Sequence, residues 1–233
     1  MFRFVWITFL VIFLCACAPV ATSNRELLPS APHLLPRCGQ PFVQEPWHFI
    51  HQIEASLPLG RSMTMIGITK IDPGEKTLQG VLTTIEGLVL FDGLWRDGEL
   101  TVLRAIPPFD GPAFAENMMN DISLLFLVPR IASLTHAAQK ERDVVCYYRK
   151  GDDRTIDVII HENRSWSINV FNGELLKEIR AFSLENNIPQ FTELKGHAYT
   201  LKLTTITAEP DSEGDAGCPE AESGLTTEEK NEI

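Results

Sequence analysis

The sequence predicts an α+β protein that is mainly β: a curled antiparallel half-barrel of about ten strands, with a helical lid placed centrally in the chain. Three observations carry this. Apolar residues alternate with period two through most of the chain between 47 and 207, which is the mark of half-buried strands. The connections between those runs are short and built from turn residues, so neighbouring strands must pair antiparallel. Between 112 and 128 the period changes to three and four, as in an amphipathic helix.

The first strand is expected over 47–55, with Trp47, Phe49, His51, Ile53 and Ala55 on one face and His48, Ile50, Gln52 and Glu54 on the other. A second covers 61–71 and ends at the turn Asp72-Pro73-Gly74-Glu75. The runs 77–85 and 88–95 are separated by Glu86-Gly87, and Arg96-Asp97-Gly98-Glu99 turns the chain into 100–106, which Pro107-Pro108 closes. Asp110-Gly111-Pro112 then supplies a cap, a turn and a proline suited to a first helical turn. Phe114, Met118, Ile122, Leu125 and Phe126 recur at helical spacing until Pro129 stops the pattern. A second, weaker helix is expected over 131–139. Strands resume at 144–149, 155–161 and 165–171, then at 175–184 before a loop at Asn186-Asn187. The runs 190–194 and 198–207, around the turn Lys195-Gly196, complete the sheet. A sheet this wide must curl or close. A mid-chain helix can cover its inward face only by lying across the concave side, which leaves an apolar hollow between them.

The chain of 233 residues is 44% hydrophobic and 22% charged, the balance of a globular protein. Its 20 Lys and Arg against 31 Asp and Glu give a formal charge of -11, the wrong sign for the attraction that dominates nucleic-acid binding. The segment 209–233 holds nine acids and one base, with almost nothing apolar, and reads as an acidic disordered tail. It would serve as a solubilising tail or as an arm for a basic partner or cations.

Residues 1–16 have the layout of a secretory signal peptide: Arg3, an apolar run from Phe4 to Leu14 broken by Thr8, then small residues. Leu14-Cys15-Ala16-Cys17 resembles the bacterial lipobox, which implies a lipid on Cys17. Ala18, where inner-membrane lipoproteins tend to carry Asp, implies residence at the outer membrane facing the periplasm. The alternative is an uncleaved anchor reaching Ala21, although that run barely attains the roughly 20 residues of a spanning helix. Either way the membrane is a partner. Cleavage before Cys17 removes Arg3 and no acid, which takes the formal charge from -11 to -12. Residues 17–46, with Pro29, Pro32, Pro36, Pro41 and Pro46, read as a lipidated proline-rich tether favouring an extended run. In an oxidising periplasm a disulfide can form among Cys38, Cys146 and Cys218, with one left over. Cys38 with Cys146 is the candidate pair that would staple the arm to the domain.

The order of lipobox, proline-rich arm, five-strand meander, central helices and second meander resembles the LolA/LolB lipoprotein-carrier fold. It is most similar to LolB-like bacterial outer-membrane lipoproteins. The residues carrying the resemblance are Thr84-Ile85-Glu86-Gly87-Leu88-Val89-Leu90-Phe91, Arg104-Ala105-Ile106-Pro107-Pro108-Phe109 and the run from Met119 to Pro129, within the stretch from Trp47 to Thr207. It implies that a monomer holds acyl chains of a lipid or lipoprotein in the hollow, without catalysis or cofactor. Candidate lining residues are Trp47, Phe49, Met63, Met65, Phe91, Met118, Ile122 and Phe126, and methionines suit a pocket that accepts variable chains. A filled core explains the same eight equally well, and would make the protein a structural or assembly lipoprotein working through protein contacts with a partner the sequence does not identify. LolB inserts a hydrophobic loop into the membrane. Here the hairpin tips 72–75 and 96–99 are polar, so only Leu57 and Leu59 could play that part.

Chemistry finds little support. His48 and His51 fall on opposite faces of a strand and cannot share a metal, and no metal site is expected. Glu86, Asp92, Asp97 and Glu99 stand at or beside turns, where carboxylates are usual. No GxSxG, HExxH, P-loop or GxGxxG occurs. Asp121, within the apolar helix, is expected to cap or to pair with the sheet, with Arg104 as the suggested partner.

Overall fold

The computed structural model describes residues 28–211, apart from 97, 130–132 and 151–153. The signal peptide, Cys15, Cys17, Cys218 and the acidic segment from 212 onward lie outside the described residues.

Twelve strands form one curled, unclosed antiparallel sheet. The first five are β1 (Trp47–Leu57), β2 (Arg61–Asp72), β3 (Thr77–Thr83), β4 (Val89–Arg96) and β5 (Glu99–Ala105). The helix α1 (Pro112–Phe126) follows. The second series is β6 (Ser133–Lys140), β7 (Asp143–Lys150), β8 (Arg154–Ile160), β9 (Trp166–Asn172), β10 (Glu174–Glu185), β11 (Ile188–Gly196) and β12 (Thr200–Pro210). Strand order is β5-β4-β3-β2-β1-β12-β11-β10-β9-β8-β7-β6. The first and last strands therefore meet in the middle, paired from Trp47 opposite Pro210 to Ser56 opposite Thr200 with a register shift between Ile50 and His51. The two edges, β5 and β6, are the strands that α1 connects.

The half-barrel with a helix across it agrees with the sequence reading, with twelve strands where the sequence predicts about ten. In β1, Phe49, His51, Ile53 and Ala55 are buried and their neighbours are not, as the alternation requires. Three expectations need correction. The segment expected as a second helix is the edge strand β6, paired with β7 from Ser133 opposite Arg149 to Lys140 opposite Asp143. Ala137, Ala138 and Gln139 favour helix locally. The Thr135 hydroxyl, however, donates to the Tyr147 carbonyl at 2.8 Å, and both alanines are fully buried, so tertiary packing decides. The cap of α1 is Gly111, with no side-chain bond, and not Asp110. Strand β12 extends to Pro210, so Glu209 and Pro210 belong to the sheet and not to a tail.

The proline-rich arm also departs from an extended run over its described part. Pro32–Gly39 forms a 3-10 helix whose Leu34 and Cys38 are buried, and Phe42 beyond it is buried too. Cys38 is joined to Cys146 of β7 by a disulfide, across a separation of 108 residues. The Ala31 N–H donates to the Ala137 carbonyl at 2.7 Å and the Val43 N–H to the Phe126 carbonyl at 3.0 Å. The arm thus packs on β6 and β7 and touches the C-terminal end of α1. Apolar burial outweighs the prolines' preference for solvated extension.

A closed apolar hollow as the candidate binding site

Helix α1 crosses the concave face from one edge strand toward the other, and each part of it meets a different surface. Its middle lies over β3 and β4, where Gly80 and Gly93 stand opposite one another in the ladder. A Cβ at Gly80 would come within 2.7 Å of Ile122 Cδ1 and 3.2 Å of Met119 Sδ, and one at Gly93 within 3.5 Å of the same sulfur. The pair of glycines is therefore a trough that lets the helix approach the sheet closely. At its start Phe114 meets Phe109 edge-on, with centroids 5.2 Å apart. At its end Phe126 stacks on Phe49 of β1 at 4.5 Å, one of the offset geometries that aromatic pairs prefer.

The one buried charge on the helix is Asp121. It accepts hydrogen bonds from the Lys177 ammonium on β10 and from the Tyr199 hydroxyl just before β12. Arg104, the partner suggested by the sequence, lies exposed on β5, opposite Asp92 in the ladder. Burial pushes the Asp121 carboxyl upward, against the pull of Lys177 and Tyr199. The Tyr199 hydroxyl is pushed up as well, by burial first and then by the Asp121 carboxylate. This contact ties α1 to β10 and to the residue just before β12.

All eight candidate lining residues fall in one contiguous core. Phe49, Met65, Phe91 and Phe126 are buried, whereas Trp47, Met63, Met118 and Ile122 are half-buried. Of these, Phe49 and Phe126 border a small space between the sheet and α1. That space is a void of about 10 Å³, bounded also by His51, Leu125, Trp166, Ile188, Pro189, Thr192 and Leu203. A single water needs roughly 10–15 Å³, so the hollow is closed in this state. Besides His51 and Leu125, the lining residues that sequence reasoning misses come from the second meander. Trp166, Ile168 and Val170 alternate in the sequence as clearly as β1 does, and that alternation is the available signal.

His51 sits 6% exposed against the stacked rings of Phe49 and Phe126. Burial alone lowers its pKa from 6.5 to about 4. An unfolded chain takes up this proton near pH 6.5 and the folded one does not, so stability falls as pH drops from 6.5 toward 4 and levels off below. The loss attributable to this ring is roughly 3 kcal/mol. Urea unfolding at about pH 7 and about pH 4.5 should show it in the wild type and much less of it in His51→Phe; equal acid losses in the two would refute the assignment.

The two ends of the half-barrel differ. The β1–β2 connection and the β3–β4 turn lie at the same end, as the registers require. There Leu57, Leu59, Ile85 and Leu88 are exposed, Leu59 at 93%. Sequence reasoning picks out the two leucines of the β1–β2 connection as a membrane contact, and only the registers place Ile85 and Leu88 beside them. The polar tip 72–75 and the flanks of the β4–β5 turn, Arg96 and Glu99, lie at the opposite end, together with an open polar cleft of about 880 Å³ lined by residues that include Asn163, Arg164, Asn186 and Asn187. Among the described residues no group of three or more His, Cys, Asp or Glu could hold a metal ion.

No protein-family model and no curated protein sequence matches the chain. Solved structures do. A LolA superfamily protein from Nitrosomonas europaea aligns with a TM-score of 0.54 at 10% identity, over 78% of this chain and 93% of that one. A putative outer membrane lipoprotein-sorting protein domain from Vibrio parahaemolyticus aligns with a TM-score of 0.51 at 9% identity, over 78% of this chain and 92% of that one. At such identities the likeness speaks to the fold alone, and the fold is LolA/LolB-like.

Proposed function

We propose that this LolA-like protein is a lipoprotein of the outer membrane, anchored through a lipid on Cys17 and facing the periplasm. It binds acyl chains of a lipid or lipoprotein between its sheet and α1, as a monomer and without catalysis, in envelope lipid or lipoprotein transport. The observation that carries this reading is the placement of α1. The helix joins the two edge strands yet contributes nothing to the ladder, which runs unbroken from β5 to β6. It can therefore swing outward and leave every strand pairing intact. Doing so uncovers an apolar floor, on which an acyl chain gains about 25 cal/mol for each Å² removed from water. The exposed Leu57, Leu59, Ile85 and Leu88 supply an apolar end suited to touching a membrane while the chain transfers.

One observation favours a second reading. The void is too small for any ligand as it stands, and a filled core with an apolar end exposed fits an assembly lipoprotein acting through protein contacts. Native mass spectrometry with lipid extraction separates the two. The sample is a periplasmically exported form beginning at Ala18, which retains every residue described. A co-purifying acyl lipid, lost in Met118→Lys while the unfolding midpoint is kept, is the expected result. A clean apo mass that takes up neither lipid nor lipopeptide would leave the second reading.

A further inference from the structure

The residues around the void include polar groups that the apolar core does not need. Trp166, Ala181, Thr192, Leu203 and Ile53 stand opposite one another in turn across five adjacent strands, forming one transverse row on the concave face. His51 stands two residues before Ile53 on the same face. Within this group the Trp166 indole N–H is buried and has no acceptor among the described residues. The buried His51 ring makes stacking contacts but no hydrogen bond among the described residues, and Thr192, 8% exposed, lines the same void. A core selected for stability alone rarely leaves a buried donor unanswered, because each one costs free energy.

We propose that these three side chains form a carbonyl-binding subsite in the floor of the hollow, which selects acyl chains joined through a neutral ester or amide. The inference rests on the acyl-binding reading above and narrows its ligand. An indole can only donate, so the group answering it is an acceptor; a neutral imidazole and a hydroxyl can each donate once to the same group. No residue lining the void is cationic. A carboxylate or phosphate there would be buried without a counter-charge, at a cost that a neutral carbonyl avoids. When α1 lifts, the hydrocarbon packs on Phe49, Leu125 and Phe126, and the carbonyl at its head meets the Trp166 N–H.

The test compares 1-palmitoylglycerol, its 1-O-hexadecyl ether analogue, palmitate and a palmitoylated lipopeptide as ligands of the exported form. The ester should bind about tenfold more tightly than the ether, the value of one added hydrogen bond to a buried donor, and palmitate should bind more weakly than the ester. Trp166→Phe should bring the ratio of ester to ether affinity to about one; the ratio is the readout, because the smaller ring also removes core volume and so lowers the unfolding midpoint and both affinities. Thr192→Val provides a second variant that reduces the same preference. A lipopeptide bound more tightly than the glyceride, with the same dependence on Trp166, identifies an acylated protein as the source; the reverse order identifies a lipid. Equal binding of ester and ether by the wild type overturns the subsite but leaves the hollow standing. Binding of no probe at all overturns both.

Discussion

Replacing Asp121 with Ala is expected to destabilise the protein by about 3 kcal/mol, among the largest effects of any single change, because it strands a half-sequestered ammonium. The Lys177 side chain is 20% exposed and the Asp121 side chain 7% exposed, so the ammonium cannot recover full hydration once its carboxylate is gone, and the Tyr199 hydroxyl loses its acceptor as well. The control is the double variant Asp121→Leu with Lys177→Met. Exchanging both charges for apolar groups of similar size removes the desolvation cost together with the attraction, so it should recover most of the loss. Asp121→Asn should fall between, since its amide oxygen still accepts from Tyr199. Urea unfolding of the four proteins measures the coupling. A double variant as unstable as Asp121→Ala would mean that the damage comes from helix packing and not from the stranded charge. The same contact is the polar tie holding α1 to the β10–β12 side of the sheet, so Asp121→Ala should also speed hydrogen exchange in α1 more than in β1 or β12.

The position of that tie shows where sequence reasoning reaches and where it stops. Asp121 stands out because a carboxylate inside an apolar helical face needs a partner, and that much is local chemistry. Choosing Lys177 over Arg104 requires knowing that α1 spans the sheet, and the crossing follows from β1 pairing with β12, which no local pattern reveals. The first meander is legible because its turns, such as Asp72 to Glu75, are explicit and its strands alternate. Strand β6 is not, since Ala137, Ala138 and Gln139 prefer helix and only the pairing with β7 and the cover of the arm make them a strand. The candidate site is half visible for a related reason. Phe49 and Phe126 declare themselves by periodicity, whereas Trp166 and Thr192 join the same floor only through the ladder that carries the row from β9 to β12. In the sequence His51 raises only the question of a metal; its significance lies in being buried against two stacked rings, which the sheet and α1 impose together.

Removing the disulfide by replacing Cys38 and Cys146 together with Ser is expected to cost about 4 kcal/mol. Loop-closure entropy for a crosslink spanning about 100 residues supplies up to roughly 4.7 kcal/mol, and the separation here is 108 residues. Changing both residues avoids a free thiol that could pair with Cys218. The loss should be localised in its consequences. The arm is otherwise held by the burial of Leu34 and Phe42 and by single hydrogen bonds, among them the Tyr148 hydroxyl to the Cys38 carbonyl at 3.2 Å. Amide exchange should therefore rise across 28–46 before it rises in the sheet. Urea unfolding with and without reductant, for the wild type and the double variant, gives the magnitude. A change below about 1 kcal/mol would show that the arm stays docked through its apolar contacts alone. The arm also bears on the lid, because the Val43 N–H holds the Phe126 carbonyl at the end of α1. Freeing the arm takes away one of the contacts that keep the helix down, so under the proposed function the double variant should take up an acyl ligand faster than the wild type. A slower or unchanged rate would mean that α1 opens without the arm, hinging instead at its Asp121 tie.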